Sequence, residues 1–453
     1  MAALHLGDCL EELPKLEANS VHSIVTDPPY GLSFMGKDWD HGVPGSHFWI
    51  EALRVAKPGA FLLAFGGTRT FHRLACAIED AGWEIRDTLM WLYGSGFPKS
   101  HDVSKAIDRE AGVEREVIGK SDRGFGAQPH KLNNHGNGDT GIGYMDGSGK
   151  VFEVTTPATD AAKQWNGFGT ALKPAWEPII LARKPLEGTV AANVLKWGCG
   201  ALNIDGCRVE VGDGDIRSGG FGQGNRPWVK GEIGGNTVKV GRPKRVCHGD
   251  DRPSGIYGGG MAGSHADGET TQGRWPANLL HDGSDEVLAG FPHSTSGAMK
   301  KPYKYTNNGF SLGAPAGETK ANHESNEGSA ARFFYCAKAS KSDRDEGCED
   351  LESAKQDPTR KEGNPGGDNP RNRGVHERTN FHPTVKPTAL MRYLCKLVTS
   401  PNGIILDPFM GSGSTGKAAM LEGFNFVGVE MEPEYIEIAK ARIQREANQG
   451  VLL

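Results

Sequence analysis

Apolar residues gather into short runs toward both ends of the chain, and the pattern thins between them. Val21–Thr26 alternates and then becomes fully apolar, which predicts a strand. Gly59–Phe65 predicts a second strand, Phe71–Ala81 an amphipathic helix, and Trp83–Tyr93 a strand with partly alternating apolar positions. The pattern returns at Ala175–Leu181 as a strand and at Val190–Lys196 as a short helix. Near the C-terminus a helix is expected over Thr384–Thr399. Gly403–Leu406 then reads as a buried parallel strand, Lys417–Glu422 as a helix and Phe424–Val429 as the next strand. Between these runs, residues 119–170 are rich in Gly, Asn and His, 205–330 look like turns and short strands, and 345–380 are charged, with Pro, Gly and Asn. This predicts one α/β domain in two pieces: 1–118 with 171–200, and 381–453. A flexible loop region (119–170), an irregular insert (201–344) and a mobile linker (345–380) separate them. A long stretch without regular structure belongs in such a domain only if it has a function of its own.

The C-terminal strand opens onto Leu406-Asp-Pro-Phe-Met-Gly-Ser-Gly-Ser-Thr-Gly-Lys-Ala418. Gly411 to Ala418 nearly fits the phosphate-loop pattern G-x-x-x-x-G-K-[ST], but its last position is Ala418 where a Mg²⁺-binding hydroxyl is required. Asp407 at the strand end would repel a triphosphate and suits a cationic ligand or an amine. The following strand ends in Glu430, 23 residues after Asp407, close to the spacing at which dinucleotide-type folds place an acid on ribose hydroxyls. Strand, acid, Gly turn, helix, strand, acid describes a nucleoside cofactor site. A nucleotide-binding phosphate loop is the different-class alternative.

A second motif lies after the first predicted strand, at Asp27-Pro28-Pro29-Tyr30. Consecutive prolines end a strand and stiffen a loop, because neither offers a backbone donor. The Asp27 carboxylate and the Pro28 carbonyl are two neighbouring acceptors, able to receive both hydrogens of an exocyclic amine. The Tyr30 ring can stack on the base carrying it. Pulled toward tetrahedral geometry, such an amine recovers a lone pair that can attack an electrophilic methyl in line.

These motifs resemble the S-adenosylmethionine-dependent DNA amino-methyltransferases, acting on adenine N6 or cytosine N4. The resemblance rests on Asp27–Tyr30, on Asp407–Thr415 and on Phe381-His-Pro-Thr-Val-Lys-Pro387. Patches at Gly7-Asp8, 57–67, 176–185, 274–284 and 332–344 are also similar. With the catalytic motif first and the cofactor turn last, the order resembles the permuted beta group. The fold implied is a circularly permuted Rossmann-like α/β domain with a mainly parallel seven-stranded sheet, the Gly-rich insert serving target recognition. The implied catalytic residues are Asp27, Pro28, Pro29 and Tyr30. The implied cofactor residues are Asp407, Pro408, Phe409, Gly411, Ser412, Gly413, Ser414 and Thr415, with Glu430 on the ribose. Asp8 is expected near the cofactor adenine or as a helix N-cap, and Thr384 and Lys386 at the cofactor carboxylate or capping the next helix. Within the family Ser at the position of Asp27 is commoner for cytosine, so Asp27 favours adenine. The implied partner is double-stranded DNA. A homodimer and a cognate restriction enzyme are compatible with the resemblance, which requires neither.

Composition adds limits. Gly contributes 64 of 453 residues, concentrated in 119–149 and 198–273. The eight cysteines form no C-x-x-C pair, and none follows a proline as in the nucleophile of carbon-5 cytosine methylation. Cys199, Cys207, Cys247 and His248 match no zinc spacing, so no metal is expected. No apolar run is long enough to span a membrane and no signal pattern precedes Glu11-Glu12, so a cytoplasmic location is expected. The net charge of −5 does not advertise a DNA surface, yet residues 216–249 hold seven Lys or Arg against the one acid Glu232, with Trp228 among them. Phe97-Pro98-Lys99-Ser100 could face DNA or form a plain turn.

Overall fold

The computed structural model describes residues 1–32, 40, 42–96, 100–121, 152–209, 217–218, 269–270, 273–296, 304–305, 317–318, 326–337, 343–355 and 377–449. Most of the basic 216–249 stretch, Phe97–Lys99, and Cys247 with His248 lie outside them.

The chain divides into two compact units. The first comprises Met1–Asn203, Asn278–Val287 and Cys336–Leu453, and is built on one large sheet. Its strands are β1 (Ala2–Leu6), β2 (Val21–Thr26), β3 (Ala56–Phe65), β4 (Glu84–Leu92), β5 (Trp176–Arg183), β6 (Leu279–His281), the short edge β7 (Tyr335–Cys336), β8 (Ile404–Asp407) and β9 (Asn425–Glu430). The order across the sheet is β1-β9-β8-β2-β3-β5-β4-β6-β7. The first seven in that order form the sheet that was expected. β6 and β7 extend it to nine, because a segment of the insert returns beside β4 through Leu279↔Met90. Strand β5 runs antiparallel to β3 and β4, whereas β1-β9-β8-β2-β3 are parallel throughout.

The strand sequences follow from burial on both faces. β2 and β3 are nearly continuous apolar runs, with Ile24, Leu62, Leu63 and Ala64 fully buried, as central parallel strands require. Helices α1 (Cys9–Glu12), α2 (Ser46–Val55), α3 (Phe71–Asp80), α5 (Val190–Trp197), α6 (Thr388–Val398), α7 (Ser414–Leu421) and α8 (Pro433–Gln449) pack on the sheet, and α4 (Val103–Glu110) packs on the short helix Asp160–Gln164. α2 contributes Trp49, Ala52 and Val55 to the core, and α3 contributes Leu74 and Ile78.

Several expected boundaries move. α6 starts at Thr388 instead of Thr384, because Pro387 disfavours helical backbone in the residue before it. α7 starts at Ser414, three residues before Lys417. β1 and α2 were not expected; β1 alternates only loosely and is half exposed. Residues 345–355 of the expected linker pack against α8, where Cys348 joins Tyr435 and Ile438 in a small core. Residues 152–170 of the expected loop are also ordered. Phe152–Thr155 pairs with Val117–Ser121, and the Asp108 carboxylate accepts the Ala158 and Thr159 N–H groups.

The second unit, Ile204–Ala277 with Leu288–Tyr335, lies within the expected 201–344 insert. Its described part is small. His293–Ser296 pairs antiparallel with Asn326–Ser329, and Arg332 ties the pair together through Ser294 and the Gly328 and Ser329 carbonyls.

Candidate active site

Because β8 lies parallel beside β2, with Leu406 opposite Ile24, the two motifs leave the sheet side by side at its carboxyl edge. Open α/β sheets bind ligands in that position. A cavity of about 420 Å³ opens there. Of the expected residues it is lined by Asp8, Asp27, Pro29, Thr384, Lys386, Asp407, Pro408, Phe409, Gly411, Ser412, Ser414, Thr415 and Glu430. Pro28, Tyr30 and Gly413 are not among its walls. Pro44, Phe48, Met431 and Tyr435 line it as well, and none of these was singled out from the sequence.

Asp407 organises the turn. It is buried, and it accepts the Thr26 hydroxyl at 2.7 Å and the Phe409 N–H at 3.1 Å on Oδ1, and the Thr415 hydroxyl at 2.6 Å on Oδ2. Burial pushes its carboxyl up to about 7 against the pull of these donors. Gly411 and Gly413 both have positive φ, +53° and +75°, backbone that only glycine enters freely. A Cβ on Gly411 would stand 2.9 Å from His382 Nε2, and one on Gly413 2.9 Å from the Ala439 Cα of α8. Gly413 therefore serves close packing of α8 behind the turn.

Glu430 closes the other side. One carboxylate oxygen accepts the Gly411 N–H at 2.7 Å and the other the Glu432 N–H at 2.8 Å, so this acid shapes the rim that it was expected to offer to a ribose. Burial raises its carboxyl above the usual range. Asp8 caps α1 by accepting the Leu10 N–H at 2.8 Å while also facing the cavity. The two roles left open for it are compatible.

Lys417, the lysine of the near phosphate loop, does not line the cavity. It is buried beneath α7 and bonded to Glu346 at 2.7 Å, with Glu446 at 3.8 Å. Ser412 and Ser414 are held from behind by Arg442 of α8. Its Nη1 donates to the Ser412 carbonyl at 2.6 Å and to both serine hydroxyls at 3.1 Å. Arg442 is fully buried; a lone arginine in an amphipathic helix carries no sequence signal for this.

The Asp27 loop is pinned at several points. The Tyr30 carbonyl accepts the Thr70 hydroxyl at 2.8 Å, and Asp40 accepts the Gly31 and Leu32 N–H groups at 2.8 and 3.2 Å. The Tyr30 hydroxyl donates to Asp27 Oδ1 at 2.7 Å. Lys386 caps nothing; its ammonium reaches Asp27 Oδ2 at 2.8 Å, the Tyr30 hydroxyl at 3.2 Å and Glu177 Oε2 of β5 at 3.2 Å. Burial lowers the Lys386 pKa, but Asp27 and Glu177 outweigh it and hold the amine charged well above its usual range. Thr384 stands exposed at the cavity mouth, its carbonyl bonded to His382 Nδ1. His382 packs edge-on against Tyr435, centroids 4.5 Å apart, and burial lowers its pKa to about 4.

Residues 292–441 match the family described as DNA methylase. This stretch, about a third of the chain, is similar to that family. It contains the Gly turn and Lys386, whereas Asp27 lies outside it. Two curated relatives match over short stretches. The Type II methyltransferase M2.LlaDCHI of Lactococcus lactis subsp. cremoris is 43% identical over 70 residues, 16% of this chain and 26% of the relative. The DNA adenine methyltransferase YhdJ of Escherichia coli (strain K12) is 40% identical over 76 residues, 17% of this chain and 26% of the relative. The chain thus spans about a quarter of the length of the relatives it matches. Among solved structures, the M1.HpyAVI-SAM complex superposes on 98% of this chain and 99% of its own, with TM-score 0.34 and 15% identity. PvuII DNA methyltransferase (cytosine-N4-specific) superposes on 100% and 93%, with TM-score 0.37 and 12% identity. Among the described residues no cluster of His, Cys, Asp and Glu could hold a metal, and no helix is long and apolar enough to cross a membrane.

Proposed function

We propose that the chain is a site-specific DNA methyltransferase that transfers a methyl group from S-adenosylmethionine to the exocyclic N6 of adenine in duplex DNA. The observation that carries this reading is the meeting of Asp27 and the Asp407–Thr415 turn in one cavity, although 380 residues separate the two acids. The donor set suits the cofactor. Phe48, Phe409, Met410 and Val429 offer apolar walls, and Asp8, Glu430 and Glu432 stand at its rim where hydroxyls and a cation would be held. When bound, S-adenosylmethionine supplies an electrophilic methyl on a sulfonium. The residues of this chain do the rest by positioning. A flipped adenine would present its amine to Asp27 and the Pro28 carbonyl, the bound hydrogens would draw the nitrogen toward tetrahedral geometry, and transfer would be direct: the nitrogen–methyl bond forms as the sulfur–methyl bond breaks, and the nitrogen then gives up one proton to solvent. Cytosine N4 needs the same two acceptors; adenine is preferred because, in the family the motifs resemble, Ser at the position of Asp27 is commoner for cytosine.

The test is expression in a methylation-deficient bacterial host, with modified bases read along the genome by single-molecule sequencing and Asp27→Ala as control. N6-methyladenine in one short context, absent in the variant, is expected. N4-methylcytosine would change the base and keep the mechanism. No modification, together with no binding of S-adenosylmethionine in calorimetry, would overturn the proposal.

A further inference from the structure

Asp27 faces a conflict in this structure. Both of its oxygens already accept hydrogen bonds, Oδ1 from the Tyr30 hydroxyl and Oδ2 from the Lys386 ammonium. A target amine needs a strong acceptor, and a carboxylate neutralised by an ammonium at 2.8 Å is a weakened one. Both competing donors have a second carboxylate within reach. Glu177 Oε2 stands 3.2 Å from Lys386 Nζ and 3.4 Å from the Tyr30 hydroxyl.

We infer that Glu177 is the second seat of the Lys386 ammonium and the Tyr30 hydroxyl, drawing both off Asp27 when a target amine takes their place. This deepens the methyltransferase reading and rests on it. Glu177 and Lys386 are positioning residues here, since they act on the substrate through Asp27.

The geometry fits such an exchange. Glu177 sits on β5, the antiparallel strand beside β3, fixed by its ladder opposite Trp91 of β4. The ammonium lies over the Phe65 ring at 4.7 Å and the Tyr30 ring at 5.5 Å, so aromatic faces cushion it between its two seats. The ionisable groups facing the cluster are Asp27, Glu177, Lys386, Tyr30 and Tyr93, with His382 and Asp407 acting on Asp27 from farther away. The ammonium serves one carboxylate at a time, so Asp27 is free to accept from the target amine while Lys386 rests on Glu177. The assignment also removes Lys386 from the cofactor carboxylate.

A double-mutant cycle tests this by single-turnover methyl transfer on duplex DNA, with cofactor affinity measured separately. Glu177→Gln keeps the shape and removes the charge, leaving Lys386 on Asp27; transfer is expected to slow by about tenfold or more with cofactor Kd unchanged. Lys386→Met leaves two carboxylates facing each other with no cation between them, so transfer slows while cofactor Kd stays unchanged. The double variant has neither the competing cation nor the repelling anion, and is expected to be faster than either single variant. Glu177→Asp should retain most of the rate. Losses that multiply in the double variant overturn the inference while leaving the methyltransferase reading intact. So does a Lys386→Met chain with weakened cofactor binding but normal transfer at saturation. A wild-type chain that binds cofactor yet methylates no duplex DNA overturns the reading and the inference together.

Discussion

The Thr26 hydroxyl donates to Asp407 Oδ1 at 2.7 Å, joining the strand that carries one motif to the acid that opens the other across 381 residues of sequence. Both groups are buried, so the bond is made away from competing water. Thr26→Val keeps the branched shape and removes the donor. It should cost about 0.5–1.5 kcal/mol of stability, the net worth of one hydrogen bond, because Oδ1 keeps the Phe409 N–H. Urea unfolding of the two proteins, with cofactor affinity measured beside it, checks this. An unchanged midpoint would mean that the turn does not depend on β2.

Lys417 separates the methyltransferase reading from a phosphate loop. Its ammonium is spent on Glu346 and Glu446. Lys417→Met should therefore lower stability by roughly 1–3 kcal/mol, less than the loss from a fully buried ion pair, because Glu346 is partly exposed and keeps Arg445 nearby. Affinity for S-adenosylmethionine should stay within a factor of a few, and the wild-type chain should not bind Mg²⁺-ATP. Calorimetric titration with both ligands decides it; tight Mg²⁺-ATP binding that vanishes in the variant would reopen the nucleotide reading.

Gly413→Ala meets two obstacles at once, a φ of +75° and the Ala439 Cα at 2.9 Å. Strained backbone alone costs roughly 1–3 kcal/mol, and displacement of α8 adds to that. The variant should melt at lower temperature and bind cofactor more weakly, because α8 also carries Arg442 behind Ser412 and Ser414. A melting temperature equal to wild type would refute the close packing of α8 on the turn.

His382 sets an acid limit. Its folded pKa is lowered to about 4 from the ordinary value near 6.5, so between these values the unfolded chain holds a proton that the folded chain does not. Stability from this group is present above pH 6.5 and is lost as pH falls toward 4, with a slope of at most about 1.4 kcal/mol per pH unit. Asp407, raised to about 7, acts in the opposite sense, losing stability as pH rises from about 4 to 7. Comparing urea midpoints of wild type and His382→Gln across pH 4.5–7.5 isolates the histidine. The variant's curve should lack the acid-side decline; parallel curves would mean His382 is not held neutral.

Those parts of the fold whose signal is local were legible in the sequence. β2, β3, β8 and β9 are short apolar runs bounded by turn residues, and burial on both faces keeps them unbroken. The Gly turn was legible for the same reason, since positive φ at positions 411 and 413 leaves its mark in residue type. β1 was missed because it pairs on one edge only and its half-exposed residues alternate poorly. The partners of the site were missed for a different reason. Glu177 lies 209 positions from its partner Lys386, and Glu346 71 positions from Lys417, so each acid taken alone reads as a solvated surface residue. Which faces an ion pair shares is decided by the sheet order, and a single sequence does not record that.

The adjacency of β2 and β8 also sets a timetable for the newborn chain. Ser23 and Ile24 can find their partners Ile405 and Leu406 only after some 380 further residues have been made. At typical synthesis rates that leaves one side of β2 as a bare edge for roughly 20–80 s. The cavity appears all at once at the end of this interval, when β8, the Gly turn and Glu430 arrive. Copies that stop short of that point carry the Asp27 loop but no turn to face it. On the proposed function, such incomplete copies would transfer no methyl group.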